Sequence, residues 1–478
     1  MFSRRITLGV VCTATAMLML DIAVVNTALT HIARDLHAGL AGVQWVVDAY
    51  TLALAATVLT IGSLSDRFGR RTLLLAGLGI FTAASLACGA AATITELDLF
   101  RAAQGVGAAA MFATTLAILS DAFQEPGERA RAFAAYGASI GGAFAIGPLV
   151  GGVLTSILGW SAIFFLNVPI GIACIALTFV GVRESRDPHP RRVDVPGQLL
   201  LTGGLFLLVF ALLQGNSRGW TSTSIVASLA GAAVLLLVFV VVEARRPDAM
   251  LPLRLFRNRS FTAAQVAAFG VSASFFAVFF YMSLYLQVIL HLSPIETGLV
   301  YMPTSVVIFV VSGISASLAE RFAPKVLIGV GLNLVALGLG LCTIAGVHSS
   351  WVAMLPGSLL AGIGTGILNP TVSALALGSL DAGQSGLAAG ANDTFRNVGI
   401  AVGIAALGAM VPSHASIGAG SPEAFVSGFH HALIVGSIVA GLASGGVAVL
   451  LRRQRTPVDA ERPTEVALAG NTLAEASA

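Results

Sequence analysis

The stretch GSLSDRFGRRTLLLAG, residues 62–77, is a short charged turn between two long apolar runs. Gly62 and Gly69 permit a tight turn, because glycine adopts backbone conformations that other residues avoid. The turn also carries one carboxylate and three guanidinium groups, on Asp66, Arg67, Arg70 and Arg71. The flanking runs, at about 43–64 and 72–92, can each cross a bilayer as a helix, since roughly 20 helical residues span about 30 Å. The stretch therefore predicts a helical hairpin in a membrane.

The rest of the chain has the composition of a membrane protein. Of its 478 residues, 56% are hydrophobic and 10% are charged, and the mean hydropathy is +0.90. A lipid-exposed strand would leave backbone N–H and C=O groups without partners, so spanning segments must be helices. We predict an all-α polytopic membrane protein with fourteen transmembrane helices. The predicted spans lie at about 6–29, 43–64, 72–92, 97–119, 132–156, 160–182, 195–213, 222–242, 261–286, 297–318, 325–346, 351–376, 386–411 and 427–451.

Two longer polar connections divide the predicted spans. They lie at about 183–194 and 243–260, and both are basic and contain proline. Since they bracket the seventh and eighth spans, we expect six helices, then two, then six. The predicted units are an amino-terminal six-helix bundle over 1–182, a linker with two extra transmembrane helices over 183–260, a carboxy-terminal six-helix bundle over 261–451 and a disordered cytoplasmic tail over 452–478.

The distribution of basic residues predicts the orientation. Arginine and lysine residues of the predicted loops lie mainly on the side that carries both termini, whereas Arg34 and Arg218 lie in loops on the other side. Because cytoplasmic loops carry an excess of basic residues, we expect both termini in the cytoplasm. The formal net charge of +3 follows from these loops, so it gives no indication of a nucleic-acid partner.

Two predicted spans contain a charged residue inside the apolar run. Asp21 lies in MLMLDIAVVNTAL, residues 17–29, and Arg101 lies in LDLFRAAQGVGAAA, residues 97–110. A charge inside a span costs roughly 2.5–3.5 kcal/mol or more, so each group is expected to face a partner or a wet cavity. Desolvation favours the neutral carboxyl and a nearby arginine favours the carboxylate, so movement of either helix would bind or release a proton. We therefore predict proton coupling by Asp21 and Arg101.

Both charges also have a structural interpretation. Asp21 could make a fixed contact with Asn26 or with an arginine of another helix. Arg101 could instead extend from the outer end of its span to the lipid headgroups, as long basic side chains often do. In that case the two charges would hold the bundle together without exchanging a proton.

Three further charges in the predicted spans have two interpretations each. Asp48 lies about one turn into the second span, either as a second acidic site or as an interfacial carboxylate. In GANDTFRNVGIAVG, residues 390–403, Asp393 and Arg396 are three residues apart and share one helix face. This pair either neutralises itself locally or forms an inner gate that contacts the amino-terminal half.

The fifth predicted span contains the glycine-rich block AIGPLVGGVL, residues 145–154. Pro148 removes a backbone donor, and proline is a common cause of helix bends. Gly147, Gly151 and Gly152 let neighbouring helix backbones approach closely. The block is either an ordinary packing face or a point at which the bundle can bend.

The sequence does not indicate an enzyme. A membrane enzyme would need His, Asp or Glu residues grouped at one membrane face, whereas the histidines are scattered over loops and span ends. The sequence contains no phosphate-binding loop of the form G-x-x-x-x-G-K-[ST]. The four cysteines lie in predicted spans without ligand spacing, so we expect them to pack as small apolar residues. We therefore predict no catalytic residues, no metal site and no cofactor.

Three of these patterns resemble signatures of the major facilitator superfamily. They are G-x-L-x-D-R-x-G-R-[RK] at 62–71, L-x-x-x-R-x-x-Q-G at 97–105 and G-P-x-x-G-G at 147–152. Together with the fourteen spans, they resemble the drug:proton antiporter branch of that family. The resemblance implies a cytoplasmic latch at the first signature and an arginine associated with proton transfer at the second. The third signature is typical of antiporters, which implies export.

The resemblance also implies a mechanism. Two six-helix halves would rock around a central site by alternating access. The expected function is proton-coupled export of small, lipophilic or antibiotic-like molecules through a bacterial inner or plasma membrane. The alternatives are an exporter of an endogenous metabolite, such as an antibiotic, siderophore or amino acid, and a proton-coupled nutrient symporter. The expected partners are the small-molecule substrate, protons and the lipid bilayer, and we expect a functional monomer.

Overall fold

The structure of the protein, a computed structural model, is helical. It describes residues 2–186, 193–246, 249–380, 385–411 and 421–452. Fourteen helical spans account for most of these residues, which confirms the all-α fold class predicted from the sequence. The predicted disordered tail over 452–478 lies outside the described residues from position 453 onward.

The spans, α1 to α14, follow one another through mostly short connections. The first six are α1 Phe2–Asp35, α2 Leu40–Phe68, α3 Arg70–Gly89, α4 Ile94–Ala122, α5 Pro126–Leu158 and α6 Ser161–Gly181. The next two are α7 Val195–Arg218 and α8 Thr223–Arg245. The last six are α9 Arg259–Ile289, α10 Pro294–Arg321, α11 Pro324–Cys342, α12 Trp351–Gly378, α13 Ser385–Gly408 and α14 Pro422–Leu450.

Several helices begin at side chains that satisfy their free N–H groups. Thr93 and Glu96 form a capping box at the start of α4, and Ser293 and Glu296 form another at the start of α10. The first N–H groups of a helix have no partner within it, so such caps stabilise the start. They explain why these two helices begin at the polar turns between apolar runs.

Most helices extend further than the apolar runs that predict them. α1 continues to Asp35, so Asp21 lies near the middle of the helix. α2 begins at Leu40, so Asp48 lies deeper than the single turn expected from hydropathy. Polar residues at the helix ends lower the hydropathy without ending the helix, which explains the difference.

One of the fourteen spans, α13, combines a polar half with an apolar half. Among the described residues, thirteen helical spans are long and apolar enough to cross a membrane by composition. The remaining span, α13, carries Asn392, Asp393, Arg396 and Asn397 in its first half. It nevertheless packs inside the bundle, against α2, α7 and α9. Polar groups are tolerated at membrane depth where protein surrounds them, and these groups are therefore candidates for function.

The helices pack in two groups of six, with α7 and α8 to one side. In the first group, α1 packs on α5 and α6, and α4 packs on α2 and α3. In the second group, α11 packs on α12 and α14, and α9 packs on α13 and α14. Two helix pairs make the most extensive contacts between the groups, α5 with α10 and α2 with α13. The hairpin of α7 and α8 lies along the second junction, because α7 contacts both α2 and α13.

We name the two faces of the bundle by the chain ends. The terminal face carries the start of α1, where Arg4 Nη1 lies 2.9 Å from Glu128 Oε2 at the start of α5. The distal face carries the end of α1 at Asp35 and the start of α2 at Leu40. Since successive helices run in opposite directions, the end of α14 returns to the terminal face.

The helix α9 departs from regular α-helical geometry where it meets the first group. Residues Ser272–Phe276 form a π-helical turn, a feature that is frequent at functional sites. Aromatic rings cluster around this turn. The Phe276 ring centroid is 5.6 Å from that of Phe144 in α5, and the Phe279 centroid is 4.0 Å from that of Tyr301 in α10. The second group therefore presents aromatic side chains to α5.

Candidate functional site

The structure brings Asp21 of α1 and Arg101 of α4 together inside the first helix group. Arg101 Nη1 lies 2.6 Å from Asp21 Oδ2, and each residue is only 1% exposed. The guanidinium therefore lies in the protein interior and not at the lipid headgroups. An ion pair in this position combines two charges that would each be costly alone.

Polar side chains from α3, α4 and α6 surround the Asp21 carboxylate. Gln104 Nε2 and Asn167 Nδ2 each donate a hydrogen bond to Asp21 Oδ1 at 2.9 Å. Gln104 Nε2 also donates to Ser85 Oγ at 2.8 Å. With Arg101, the carboxylate thus accepts from three side chains. We call Asp21, Ser85, Arg101, Gln104 and Asn167 the buried charge network.

A break in α6 places Asn167 in this network. The span consists of two helical segments, Ser161–Phe165 and Asn167–Gly181, and Pro169 follows the break closely. Proline has no N–H group and disrupts the helical hydrogen bond to the preceding turn. Neither Asn167 nor Ser85 is among the site residues predicted from the sequence. The asparagine two residues before a proline in an apolar run was the available signal for the first.

Arg101 is also held by α2. Its Nε donates to the Val46 carbonyl oxygen at 2.9 Å, and its guanidinium carbon lies 4.3 Å from the centroid of the Tyr50 ring. Arginine over an aromatic ring is attracted to its electron-rich face. Arg101 therefore connects three helices, α1 through Asp21, α2 through Val46 and Tyr50, and α4 through its own backbone.

The buried charge network can couple a proton to helix position. Three N–H donors, from Arg101, Gln104 and Asn167, point at the two carboxyl oxygens of Asp21. A proton bound at Asp21 would neutralise the carboxylate and leave Arg101 without a counter-charge, and breaking a buried pair in this way typically costs about 3–5 kcal/mol. Protonation must therefore be accompanied by movement of Arg101 or of the helices that hold it.

Asp48 of α2 lies in a very different environment. It is 0% exposed, and neither carboxylate oxygen has a hydrogen-bond partner among the described residues. The buried hydroxyl of Tyr50 likewise has no partner in this part of the chain. Asp98, one turn before Arg101 on α4, lies close enough for its charge to act on Asp48. Asp98 is not among the site residues predicted from the sequence, although the sequence places it three residues before Arg101.

The glycine block of α5 packs against one helix of each group. It consists of Gly147, Pro148, Gly151 and Gly152. A Cβ atom at Gly147 would overlap the side chain of Ala23 in α1, and one at Gly151 would overlap Thr27 Oγ1. A Cβ atom at Gly152 would overlap the Pro294 carbonyl oxygen in α10. The glycines therefore let α5 approach the helix that carries Asp21 and the second group at the same time.

Glu184, which follows α6, binds the charged turn between α2 and α3. It is not among the residues predicted from the sequence. Glu184 Oε1 accepts from the Arg71 backbone N–H at 3.0 Å, and its Oε2 accepts from that of Thr72 at 3.1 Å. It therefore caps the start of α3, where a negative charge is favourable. Gly69 has a φ of 113°, and a Cβ there would lie 2.5 Å from Glu184 Oε1. Arg71 Nη2 donates to the Phe179 carbonyl oxygen at 2.9 Å.

The remaining residues of the turn stay on the terminal face. Arg70 Nη2 lies 3.3 Å from Asp66 Oδ1, and the Arg67 guanidinium lies 5.6 Å from the Phe68 ring centroid. Gly62, predicted to permit the turn, instead lies inside α2, where a Cβ atom would meet no atom of another helix within 4 Å. These contacts, with those of Glu184, join α2 and α3 to the end of α6.

Asp393 and Arg396 lie on the polar half of α13, which faces the first helix group. No ion pair within 4.0 Å joins them in the described ranges. Asp393 lies near the uncharged Tyr136 of α5 and within electrostatic reach of Arg396. The neighbouring Thr394 Oγ1 donates to the Ala55 carbonyl oxygen of α2 at 3.3 Å. This half of α13 therefore contacts the first group along the second junction.

Hydrogen bonds join the two helix groups near the distal face. Gln44 Nε2 of α2 donates to the Tyr281 hydroxyl of α9 at 2.6 Å, and that hydroxyl donates to the Ile404 carbonyl oxygen. Ser283 Oγ of α9 donates to the Asn26 carbonyl oxygen of α1 at 2.5 Å. These bonds hold the distal ends of α1 and α2 against α9.

A groove with a volume of about 880 Å³ opens outside these contacts on the distal face. Its charged and titratable lining residues are His31, Arg34, His37, His291 and Glu296. The volume is in the range of pockets that hold drug-sized molecules. The groove lies between the end of α1 and the connection from α9 to α10, so both helix groups contribute to it.

The sequence is similar to known transporters. Residues 11–404 match the family model of the Major Facilitator Superfamily. The multidrug resistance protein Stp of Mycobacterium tuberculosis is 36% identical over 83% of this chain and 73% of its own length. The puromycin resistance protein pur8 of Streptomyces alboniger is 36% identical over 90% of this chain and 86% of its own length. A crystal structure of a POT family transporter in complex with a thioalcohol-conjugated peptide has a TM-score of 0.69 at 13% identity, over 93% of this chain and 96% of that one.

These similarities differ in what they establish. The POT family structure supports the architecture alone, because its identity to this chain is low. The family model covers most of the sequence, from α1 into α13. The class expected from the sequence motifs, a transporter and not an enzyme, is thereby confirmed. The chain belongs to the Major Facilitator Superfamily of membrane transporters.

Proposed function

We propose that this protein is a proton-coupled antiporter that exports small, lipophilic or antibiotic-like molecules. The two relatives described above are a multidrug resistance protein and a puromycin resistance protein, each 36% identical to this chain. The glycine block of α5 supports export over import, because the signature that it matches is typical of antiporters. The cycle would be alternating access by the two helix groups.

The ion pair between Asp21 and Arg101 carries the proposal of proton coupling. Both charges are buried, and the pair is held by donors from other helices. In the proposed cycle a proton binds Asp21, and Arg101 keeps its contacts with Val46 and Tyr50 of α2. The loss of the ion pair then frees α1 to move relative to α2 and α4. When the proton leaves, a cationic substrate would take the place of Arg101 as the counter-charge of Asp21.

Other parts of the molecule have proposed roles in the same cycle. The charged turn at 62–71 acts as a latch of the terminal face, with Glu184 as an additional partner. Asp48 is a second acidic site, and Asp393 with Arg396 forms an inner gate against the first group. The glycine block lets α5 shift against α1 and α10 without a side chain in the way.

We further propose an orientation and a location. Both termini lie in the cytoplasm, because the basic loops are on the terminal face. The protein works as a monomer in the bacterial plasma membrane and requires no cofactor, since the proton gradient supplies the free energy. Protons then enter from the distal face, where the substrate leaves.

Transport measurements in an efflux-deficient bacterial host test this function. Expression of the chain should lower the accumulation of lipophilic dyes, lipophilic cations, neutral antibiotics or puromycin. A protonophore should abolish that effect. The variant Asp21→Asn should lose efflux while inserting in the membrane at the wild-type amount, because an amide cannot exchange the proton.

Asp35→Asn is the matched control on the same helix. Asp35 is exposed at the distal end of α1, where its Oδ1 lies 3.1 Å from Arg34 Nε, so this variant should keep efflux. Normal proton-driven efflux by Asp21→Asn would remove Asp21 from the proposed role. Efflux that persists with a protonophore would refute proton coupling, and increased sensitivity to the compounds would indicate uptake.

A further inference from the structure

Two acidic residues meet at the base of the hairpin formed by α7 and α8, outside the two six-helix groups. Asp194 begins α7, and its Oδ1 accepts from the Gly197 backbone N–H at 3.0 Å. Glu243 lies near the end of α8, and its Oε2 accepts from the Leu251 backbone N–H at 2.9 Å. Both residues are only 2% exposed. Each carboxylate therefore uses one oxygen to fix a backbone group.

The other two oxygens of these carboxylates face each other. A Cβ atom at Gly197 would lie 2.5 Å from Glu243 Oε1 and 2.6 Å from Asp194 Oδ2. Both oxygens therefore lie beside the same point at Gly197, and the two carboxyl groups are close enough to act on each other electrostatically. Neither oxygen has a donor among the described residues. Two oxygens that can only accept would repel each other, whereas a single proton between them would satisfy both.

Among the described residues, one basic side chain pairs with these two carboxyl groups. Arg246 Nη1 lies 3.5 Å from Asp194 Oδ1, and the Arg246 side chain is 40% exposed. From α2, the neighbouring group is the uncharged Thr60, whose hydroxyl lies 3.9 Å from Met250 Sδ. In the part of the chain that the structure describes, no other charged side chain is recorded against the pair.

We propose that Asp194 and Glu243 share one proton and so form a pH-sensitive fastener between the hairpin and the connection into α9. In the shared state, the protonated carboxyl donates to the other carboxylate, and Glu243 keeps its bond to the Leu251 N–H. Loss of the proton leaves two buried negative charges side by side, which is unfavourable. Glu243 then moves away, and the connection at 249–257 loses its anchor.

This fastener lies beside a helix that joins the two groups. Met250 and Leu251 are buried, at 6% exposure each, and Thr60 of α2 also bonds Gln198 of α7. Release of the connection would therefore loosen α7 and α2 together, next to the junction of α2 with α13. Asp194 and Glu243 lie on other helices than Asp21 and far from it in sequence. Their proposed role therefore holds whether or not Asp21 is the transport proton site.

Hydrogen exchange of the full-length protein in lipid nanodiscs tests the proposal. The protection factors of backbone N–H groups in 249–257 are measured between about pH 6 and about pH 9 and corrected for the intrinsic pH dependence of exchange. In the wild type, protection of this segment should fall about tenfold or more as the pH rises. In Glu243→Gln it should stay constant, because the amide donates to Asp194 and its oxygen still accepts from Leu251 N–H.

Asp194→Asn provides an independent variant, since asparagine also caps a helix start and removes one of the two charges. It should likewise abolish the pH dependence. Glu128→Gln, at an exposed acid on the same face, should behave like the wild type. Wild-type protection that does not change with pH, or an equal loss in Glu243→Gln, would overturn the proposal. These two hydrogen-exchange outcomes are independent of the efflux assay, because efflux does not report on the protection of residues 249–257.

Discussion

Asp21 and Asp48 are buried carboxylates on α1 and α2 of the same helix group, yet their surroundings are opposite. Asp21 accepts hydrogen bonds from Arg101, Gln104 and Asn167. Neither oxygen of Asp48 has a partner among the described residues. The exposures are nearly the same, at 1% and 0%. The difference therefore lies in the partners and not in the depth of burial.

This comparison distinguishes two ways to keep an acid inside a bundle. A carboxylate with three donors contributes to stability through those hydrogen bonds. Removal of one donor therefore lowers the free energy of unfolding. A carboxyl without donors is costly to bury as an ion and far less costly when neutral. α2 connects the two sites, because it carries Asp48 and also binds Arg101 through Val46. A shift of α2 would therefore change both environments at once.

The strongest test removes the cation from the partnered site. Arg101→Ala leaves the Asp21 carboxylate buried without a counter-charge, which should cost about 3–5 kcal/mol of unfolding free energy. Reversible unfolding in mixed detergent micelles measures this loss. The double variant Asp21→Asn with Arg101→Gln should recover much of it, because neither charge then remains.

A loss below about 1 kcal/mol in Arg101→Ala would mean that water reaches the carboxylate easily. That outcome would contradict the description of Asp21 as an ion pair in a dry interior. A double variant no more stable than Arg101→Ala would show that packing of the arginine, and not its charge, holds the site.

The overall fold is largely predictable from the sequence. Helices that cross a lipid bilayer require long apolar runs, so all fourteen spans can be located from the sequence. The lengths of most of them are underestimated. The polar span α13 is also predicted from the sequence, because a transmembrane span can contain charged residues. The position of the α7–α8 hairpin against α2 and α13 could not be predicted. Apolar helices with no polar stripe carry no sequence signal of which neighbour they contact.

The candidate site is predictable only in part. Asp21 and Arg101 stand out because charges are rare in apolar runs, and the family signature links the arginine to protons. Asn167, Ser85 and Glu184 are ordinary polar residues in sequence, and only the packing of α3, α4 and α6 brings them to their partners. The absence of partners at Asp48 depends on its exact depth in α2, which hydropathy underestimates.

A smaller effect is expected from removing one donor of the partnered site. Asn167→Leu keeps a side chain of similar size but leaves Asp21 Oδ1 with Gln104 as its remaining side-chain donor. A hydrogen bond to a charged group is worth about 1.5–3 kcal/mol, so we expect a loss of unfolding free energy in that range. Asn26→Leu is the control, because the Asn26 amide bonds the Ile22 carbonyl of its own helix. Equal losses in both variants would exclude a special role for Asn167.

The smallest effect is expected where no partner exists. Asp48→Asn preserves the shape of the side chain and breaks no hydrogen bond of the described structure, so the unfolding free energy should change by less than about 1 kcal/mol. The same substitution at Asp21 leaves the buried Arg101 without a counter-charge and should cost about 3–5 kcal/mol. The two variants are therefore compared in one unfolding experiment, since they differ only in position.

Efflux measurements on the same pair of variants sharpen the contrast. Asp48→Asn should be stable and yet lose part of its proton-driven efflux if Asp48 is a second acidic site, whereas an interfacial carboxylate would leave efflux unchanged. A loss of more than about 1.5 kcal/mol in Asp48→Asn would mean that this carboxyl has a donor in the folded protein. The difference between the two acids would then be one of degree, and α2 would no longer connect a carboxyl that has donors to one that has none.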